Sequence, residues 1–211
     1  ATSWVPDSRV FITLEGGEGA GKSTQARRLA AALQAAGCTA LLTREPGGAP
    51  GAEVLRGLLL SRTHDWSPPA ETYLHFAARA EHLARTVQPA LAVGQVVVCD
   101  RFADSTMAYQ GYGLGADLTL IAALTRLLPV RPDLTLVLAV SPAVAAARLA
   151  ARSQALDRYE AMDAGFHARV AAGFLAIATT EPGRCVVVDA DGSVDEVHSM
   201  VWNAVSARLA T

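Results

Sequence analysis

Between Gly16 and Ser23 the chain runs Gly-Gly-Glu-Gly-Ala-Gly-Lys-Ser, which fits G-x-x-x-x-G-K-[ST]. Such a loop needs a particular setting. Its glycines let backbone N–H groups turn inward around phosphate oxygens, and the positive end of a following helix strengthens the hold on the anion. The flanks supply that setting: residues 10–14 are a short β-branched and apolar run, and residues 23–36 carry apolar side chains at helical spacing. Strand, loop and helix follow one another, so that Lys22 is expected to reach the β and γ phosphates of a nucleoside triphosphate and the Ser23 hydroxyl to bind Mg²⁺.

The alternation continues along the chain. Residues 39–43 read as a strand, 46–48 as a Pro-Gly-Gly loop and 52–60 as a helix. Pro68 and Pro69 open a helical stretch to residue 92 that Pro89 is expected to kink or interrupt, and residues 95–99 form a buried strand. Residues 134–140 are a continuous apolar run of the kind found in a strand covered on both faces, with Pro142 opening the next helix. Helical stretches at 159–180 and 194–209 flank a last strand at 184–188. Five strands alternating with helices predict an α/β fold: a doubly wound five-stranded parallel sheet with helices on both faces. At 211 residues, without repeats or linkers, residues 1–211 are expected to be one domain.

Composition narrows the function classes. Eighteen basic against twenty acidic residues give a net charge of -2, which excludes a basic binder of nucleic acid polymers. No apolar run reaches the roughly 18 residues of a membrane span, and residues 1–7 lack a leader pattern. Cys38, Cys99 and Cys185 are odd in number and far apart, and are expected to be buried free thiols. A cytoplasmic protein with no membrane association is the expectation. Lys22 is the only lysine and Asn203 the only asparagine, so no N-K-x-D guanine reader exists; L-S-G-G-Q is also missing. A small-molecule kinase fits better than a GTPase switch or a transporter ATPase.

Directly after the strand at 95–99 come Asp100, Arg101, Asp104, Ser105, Thr106, Tyr109 and Gln110. Polar residues just past a strand's carboxyl end line the ligand crevice of an open α/β sheet. Asp100 is placed to hold Mg²⁺, and Arg101 offers a planar fork suited to a phosphate.

At this point the chain resembles the thymidylate kinases, a family of P-loop nucleoside monophosphate kinases. The resemblance rests on residues 11–24 (FITLEGGEGAGKST), 43–48 (TREPGG), 71–82 (ETYLHFAARAEH), 100–113 (DRFADSTMAYQGYG) and 152–160 (RSQALDRYE). It implies a P-loop NTPase-type fold with a short lid at about 149–160. It also implies transfer of the γ-phosphoryl group of MgATP to dTMP, giving dTDP and ADP for dTTP synthesis, by a homodimer. Alternatives are another nucleoside or nucleotide kinase of this fold, or a P-loop module that regulates without phosphorylating a metabolite.

The resemblance also carries roles to single positions. Gly16, Gly17, Glu18, Gly19, Ala20, Gly21, Lys22, Ser23 and Thr24 match the ATP-binding loop, and Glu18 in addition sits near the acceptor sugar and phosphate. Arg44 and Arg101 match residues near the acceptor phosphate, in a pocket that Pro46 helps to shape. Arg79 matches the arginine that bonds the thymine carbonyl, Ser105 a small polar reader of the base, Tyr109 the tyrosine under the deoxyribose, and Gln110 follows near the base. The ring that stacks on thymine is His75 or Phe76, since both spacings fall on the helical face of Arg79. With Gly19 where the eukaryotic type has a catalytic arginine, the lid is expected to supply one; Arg152 is the best match, with Arg148 and Arg158 as alternatives. Asp189 to Gly192 would form the loop beside adenine.

Overall fold

A computed structural model describes residues 9–152 and 157–209. The strands are β1 (Phe11–Glu15), β2 (Ala40–Arg44), β3 (Val96–Asp100), β4 (Leu134–Ala139) and β5 (Cys185–Asp189), all parallel, in the order β2-β3-β1-β4-β5. The α-helices are α1 (Lys22–Ala35), α2 (Pro50–Leu60), α3 (Pro68–His82), α4 (Gln88–Ala92), α5 (Ala103–Thr106), α6 (Leu118–Arg126), α7 (Pro142–Ala150), α8 (Ala164–Thr180) and α9 (Val194–Leu209). The expected doubly wound sheet is the architecture found.

Successive strand residues point to opposite faces, and both faces of the three central strands β1, β3 and β4 are buried. Ile12, Leu14, Val98 and Leu136 pack with Leu29 and Leu33 of α1 and Val201 and Val205 of α9. Their neighbours Phe11, Val97 and Cys99 pack instead with Leu83, Val87 and Phe102. Val137 joins Tyr109, Phe166 and Phe174. Each fully buried side chain of this size contributes about 2 kcal/mol. All three cysteines are buried free thiols, and no helix of the described residues is long and apolar enough to cross a membrane.

Three local expectations change. The stretch from Pro68 is interrupted ahead of Pro89 rather than at it: a π-helical turn, Leu83–Val87, in which the Gln88 amide reaches back to the Leu83 carbonyl, widens the helix just before α4 and makes room for the proline. The segment between β3 and β4, read only as a polar cluster, forms α5, a π-helical stretch Met107–Gly113, and α6. The helix expected from residue 159 begins at Ala164, because the Asp163 carboxylate accepts from the Phe166 amide at 2.7 Å and caps it. Residues 158–160 form a turn before it.

In an open parallel sheet the crevice lies where strand order reverses. Here β1 sits between β3 and β4, so the carboxyl ends of β1, β2 and β3, at Glu15, Arg44 and Asp100, share one edge.

Candidate active site

That edge opens into a cavity of about 680 Å³ with two chemically different ends. At one end lies the loop between β1 and α1. Gly16 has φ 135°, and a Cβ there would come within 2.4 Å of the Leu138 carbonyl oxygen. A Cβ on Gly19, at φ 72°, would meet the Ala145 carbonyl oxygen at 2.7 Å. Only glycine lets the loop lie this close to β4 and α7. Gly21 precedes α1 without a side-chain cap, so the amides of Lys22 and Ser23 are left without intrahelical acceptors. Gly19, Ala20, Gly21, Lys22, Ser23 and Thr24 line the cavity, whereas Gly16 and Gly17 do not.

Lys22 is buried, and its Nζ donates to the Gly17 carbonyl at 2.6 Å. Burial, reinforced by Arg101, lowers its pKa to about 8 against the opposing pull of Glu18 and Asp100. The Ser23 hydroxyl donates to Asp100 Oδ2, while Asp100 Oδ1 is buried with no partner. A hydroxyl and a carboxylate with an unsatisfied oxygen are hard donors of the kind Mg²⁺ takes when phosphates and water complete its shell. Among the described residues no group of three or more His, Cys, Asp or Glu side chains could hold a metal. Arg148 ties this end together, donating to the carbonyls of Gly19 (3.4 Å) and Gly192 (2.8 Å) and so linking the loop to the segment after β5.

Arg101 stands between the two ends. Its backbone has φ 71°, uncommon for a residue with a side chain, and its guanidinium donates to the Gly16 carbonyl (3.1 Å), Ser105 Oγ (3.2 Å), Glu18 Oε1 (2.6 Å) and Tyr109 Oη (3.0 Å). It also stacks 4.8 Å from the centre of the Tyr109 ring, whose hydroxyl donates to Glu18 at 2.7 Å. Burial works to raise the Glu18 carboxyl, but Arg101, then Lys22 and Tyr109, outweigh it and hold the pKa at about 2. Arg44 lines the cavity, held by Glu53 at 2.9 Å, and Pro46 follows across a cis peptide bond. Arg56, which the sequence reading did not single out, donates to the Pro46 carbonyl at 2.7 Å and lines the same wall. Its one signal is to be the only basic residue in a helix whose one other charge is Glu53.

The far end is walled by α3 and the π-helical stretch. Arg79 is 2% exposed; its Nε donates to Glu45 (2.7 Å) and its Nη2 to the Phe102 carbonyl and Thr106 Oγ1 (3.0 Å each), leaving Nη1 buried without a partner. Gln110 is also buried and also leaves one atom, Oε1, unpartnered. His75 lines the cavity; burial, then Arg79 and Arg101, lower its pKa to about 3, so the imidazole is neutral. Phe76 does not line it. Expected as an alternative stacking ring, it packs with Ala116 and Ile121 instead, behind the Arg79 guanidinium at 4.9 Å. Ser105, expected to read the base, lines the cavity with its hydroxyl already committed: it donates to Glu15 at 2.5 Å and accepts from Arg101.

Of the segment expected to form a lid, residues 153–156 lie outside the described residues. Arg152 lines the cavity, pairs with Glu160 at 2.6 Å and is among the charges that lower Glu18. Arg158 turns elsewhere, onto Glu71.

Comparison with known proteins agrees along nearly the whole chain. The thymidylate kinase family model matches residues 14–201. A thymidylate kinase of Gluconobacter oxydans (strain 621H) is 52% identical over 204 residues, covering 95% of each chain. One of Caulobacter vibrioides is 52% identical over 202 residues, covering 94% of this chain and 97% of its own. The crystal structure of thymidylate kinase from Ehrlichia chaffeensis superposes with a TM-score of 0.77 at 36% identity, covering 93% of this chain and 98% of that one.

Proposed function

This chain belongs to the thymidylate kinase family and is a phosphotransferase, and from that premise we propose how its residues transfer the γ-phosphoryl group of ATP to dTMP. The observation that carries the acceptor assignment is the pair of orphans at the far end of the cavity. Arg79 Nη1 is a donor and Gln110 Oε1 an acceptor, both buried and both unpaired. Buried polar atoms are nearly always satisfied, so the pair marks ligand groups of the opposite kind. A carbonyl beside an N–H answers it, as at O4 and N3 of thymine; cytosine presents an amino group beside a bare nitrogen, and would set donor against donor. His75 forms the neighbouring apolar surface for the ring, Tyr109 packs under the deoxyribose, and Glu18, held ionised, accepts from the sugar.

The nucleophile is a phosphate oxygen of dTMP, mostly ionised near neutral pH because such a group has a second pKa near 6. No side chain need remove a proton. The work is to bring two anions together and to stabilise charge on the group in transit. Arg44, Arg56 and Arg101 hold the acceptor phosphate, Lys22 and the loop amides hold the β and γ phosphates, and Arg148 lies on the adenine side. Arg152, whose partner Glu160 is itself on the lid, serves as the lid arginine. Ser23 and Asp100 would hold Mg²⁺, which would supply positive charge against the phosphate oxygens. Closing residues 149–160 over the single domain excludes water and limits hydrolysis of ATP.

On this reading the protein acts in the cytoplasm, where free thiols persist, and pairs as a homodimer. Val54 and Leu58, four residues apart on α2 and 68% and 37% exposed, offer an apolar face for the second copy. The test is transfer of label from γ-labelled ATP: the label is expected in dTDP, and only when dTMP is present. Label appearing as inorganic phosphate at the same rate without dTMP would overturn the assignment.

A further inference from the structure

Behind the base end lies a carboxylate that no step above uses. Glu71, on α3, is fully buried. Its Oε2 pairs with Arg158 Nη1, and its Oε1 accepts from Gln110 Nε2 at 2.8 Å and from the Tyr159 hydroxyl at 2.7 Å. A carboxylate can only accept, so the Gln110 atom that faces it must be the NH₂ group and the amide oxygen must turn away. That oxygen is the buried, unpartnered Oε1. Tyr159 has one proton, given to Glu71, so its oxygen can accept from Gln110 Nε2 (3.1 Å) and from His75 Nε2 (3.0 Å). Every donor and acceptor in the cluster is thereby assigned from the one residue that has no choice.

We infer that Glu71 is a specificity-determining positioning residue: it fixes the polarity of the Gln110 amide, with Tyr159 of the lid segment as the second anchor, and so selects a pyrimidine that carries N–H at position 3. The inference rests on the proposed reading of Gln110 as a base contact. An amide is nearly symmetric in shape, so packing alone cannot orient it; hydrogen-bond partners decide. Without an obligate acceptor behind it, the Gln110 amide turns over in part of the population and presents NH₂ to the N3–H of thymine. Arg158 and Tyr159 are neighbours in sequence, so one carboxylate holds both this turn and the base reader.

The test is a double-mutant cycle on Glu71→Gln and Gln110→Leu, read as KM for dTMP, KM for ATP, and Ki for dCMP against dTMP turnover. Glu71→Gln is expected to raise KM for dTMP about tenfold, to narrow the margin over dCMP, and to leave KM for ATP unchanged. Gln110→Leu is expected to raise KM for dTMP at least as much, and the double variant to be no worse than Gln110→Leu alone. Losses that multiply in the double variant, or a KM for ATP that rises alongside that for dTMP, would show Glu71 to be merely structural. An unchanged KM for dTMP in Glu71→Gln overturns the inference alone; an unchanged KM in Gln110→Leu overturns the base reading and this inference with it. Should Glu71→Gln fold too poorly to assay, the exchange variant E71Q/Q110E restores a matched donor–acceptor pair with the roles reversed, a donor at position 71 behind an acceptor at position 110. It is expected to recover dTMP turnover lost in Gln110→Glu, and failure to recover it refutes the proposal.

Discussion

Replacing Lys22 by alanine lowers kcat by about 10²–10³ while the protein remains folded, with an unchanged or higher Tm. The first part follows from charge. The ammonium is needed most when negative charge spreads over the group in transit, so its loss falls on kcat more than on KM for ATP. The second part follows from burial, which takes the Lys22 pKa down to about 8 from 10.5. A lysine whose pKa is lower in the folded than in the unfolded protein costs stability wherever both states are protonated, below pH 8. That cost is relieved as pH rises from about 8 to 10.5, because the unfolded chain then binds the proton that the folded one has lost. The alanine variant pays nothing at any pH. In the wild type, kcat/KM for ATP should also fall as pH rises through about 8, since that ratio reports groups of the free enzyme. A variant with near-normal kcat, or a profile flat to pH 10, contradicts the account.

Arg101→Ala should lower kcat/KM for dTMP by about 10²–10³, the cost of truncating one partner of a hydrogen-bonded charge pair at a binding site. Two losses combine. The acceptor phosphate loses its central cation, and Glu18, only 14% exposed at its side chain, loses the guanidinium that holds it ionised. An uncompensated buried charge costs up to about 3–5 kcal/mol, less here because the cavity admits water, so Tm is expected to drop by about 5–10 °C. The two effects separate in E18Q/R101A. Removing the orphaned charge should recover most of the Tm and none of the dTMP affinity. Recovery of both would mean that Arg101 acts through folding alone, and an Arg101→Ala enzyme within twofold of normal on dTMP would remove it from the phosphate site.

What was legible in the sequence was whatever local chemistry dictates. A glycine loop between an apolar strand and a helix has few possible homes, and the polar cluster at Asp100 and Arg101 follows its strand directly, so the sheet rule alone brings both to the same edge. Contacts across the fold were not legible. Arg56 looks like any helix arginine until β2 and the cis peptide before Pro46 bring it to the cavity wall. Glu71 and Tyr159 are 88 residues apart and meet only through tertiary packing. Periodicity put His75 and Phe76 on nearly the same face and could not separate them; the position of α6, whose Ile121 covers Phe76, does. Ser105 was read from its place in a motif, but its hydroxyl is held by Glu15, which lies on the central strand 90 residues earlier. The helix at residue 164 starts where Asp163 caps it, a stronger local signal than the apolar period that seemed to begin at Tyr159.

The central claim is that one end of the cavity holds ATP and the other reads a thymine edge on a nucleotide monophosphate. Coupled ADP release measured across dTMP, dUMP, dCMP, AMP and thymidine tests it most directly. dTMP is expected to be turned over best, and dUMP, which shows the same O4 and N3–H, to come second. dCMP and AMP are expected lower by about 10³ or more, because each leaves buried polar atoms unpaired, and thymidine, which lacks the phosphate, near background. Turnover of AMP or thymidine equal to that of dTMP would contradict the claim.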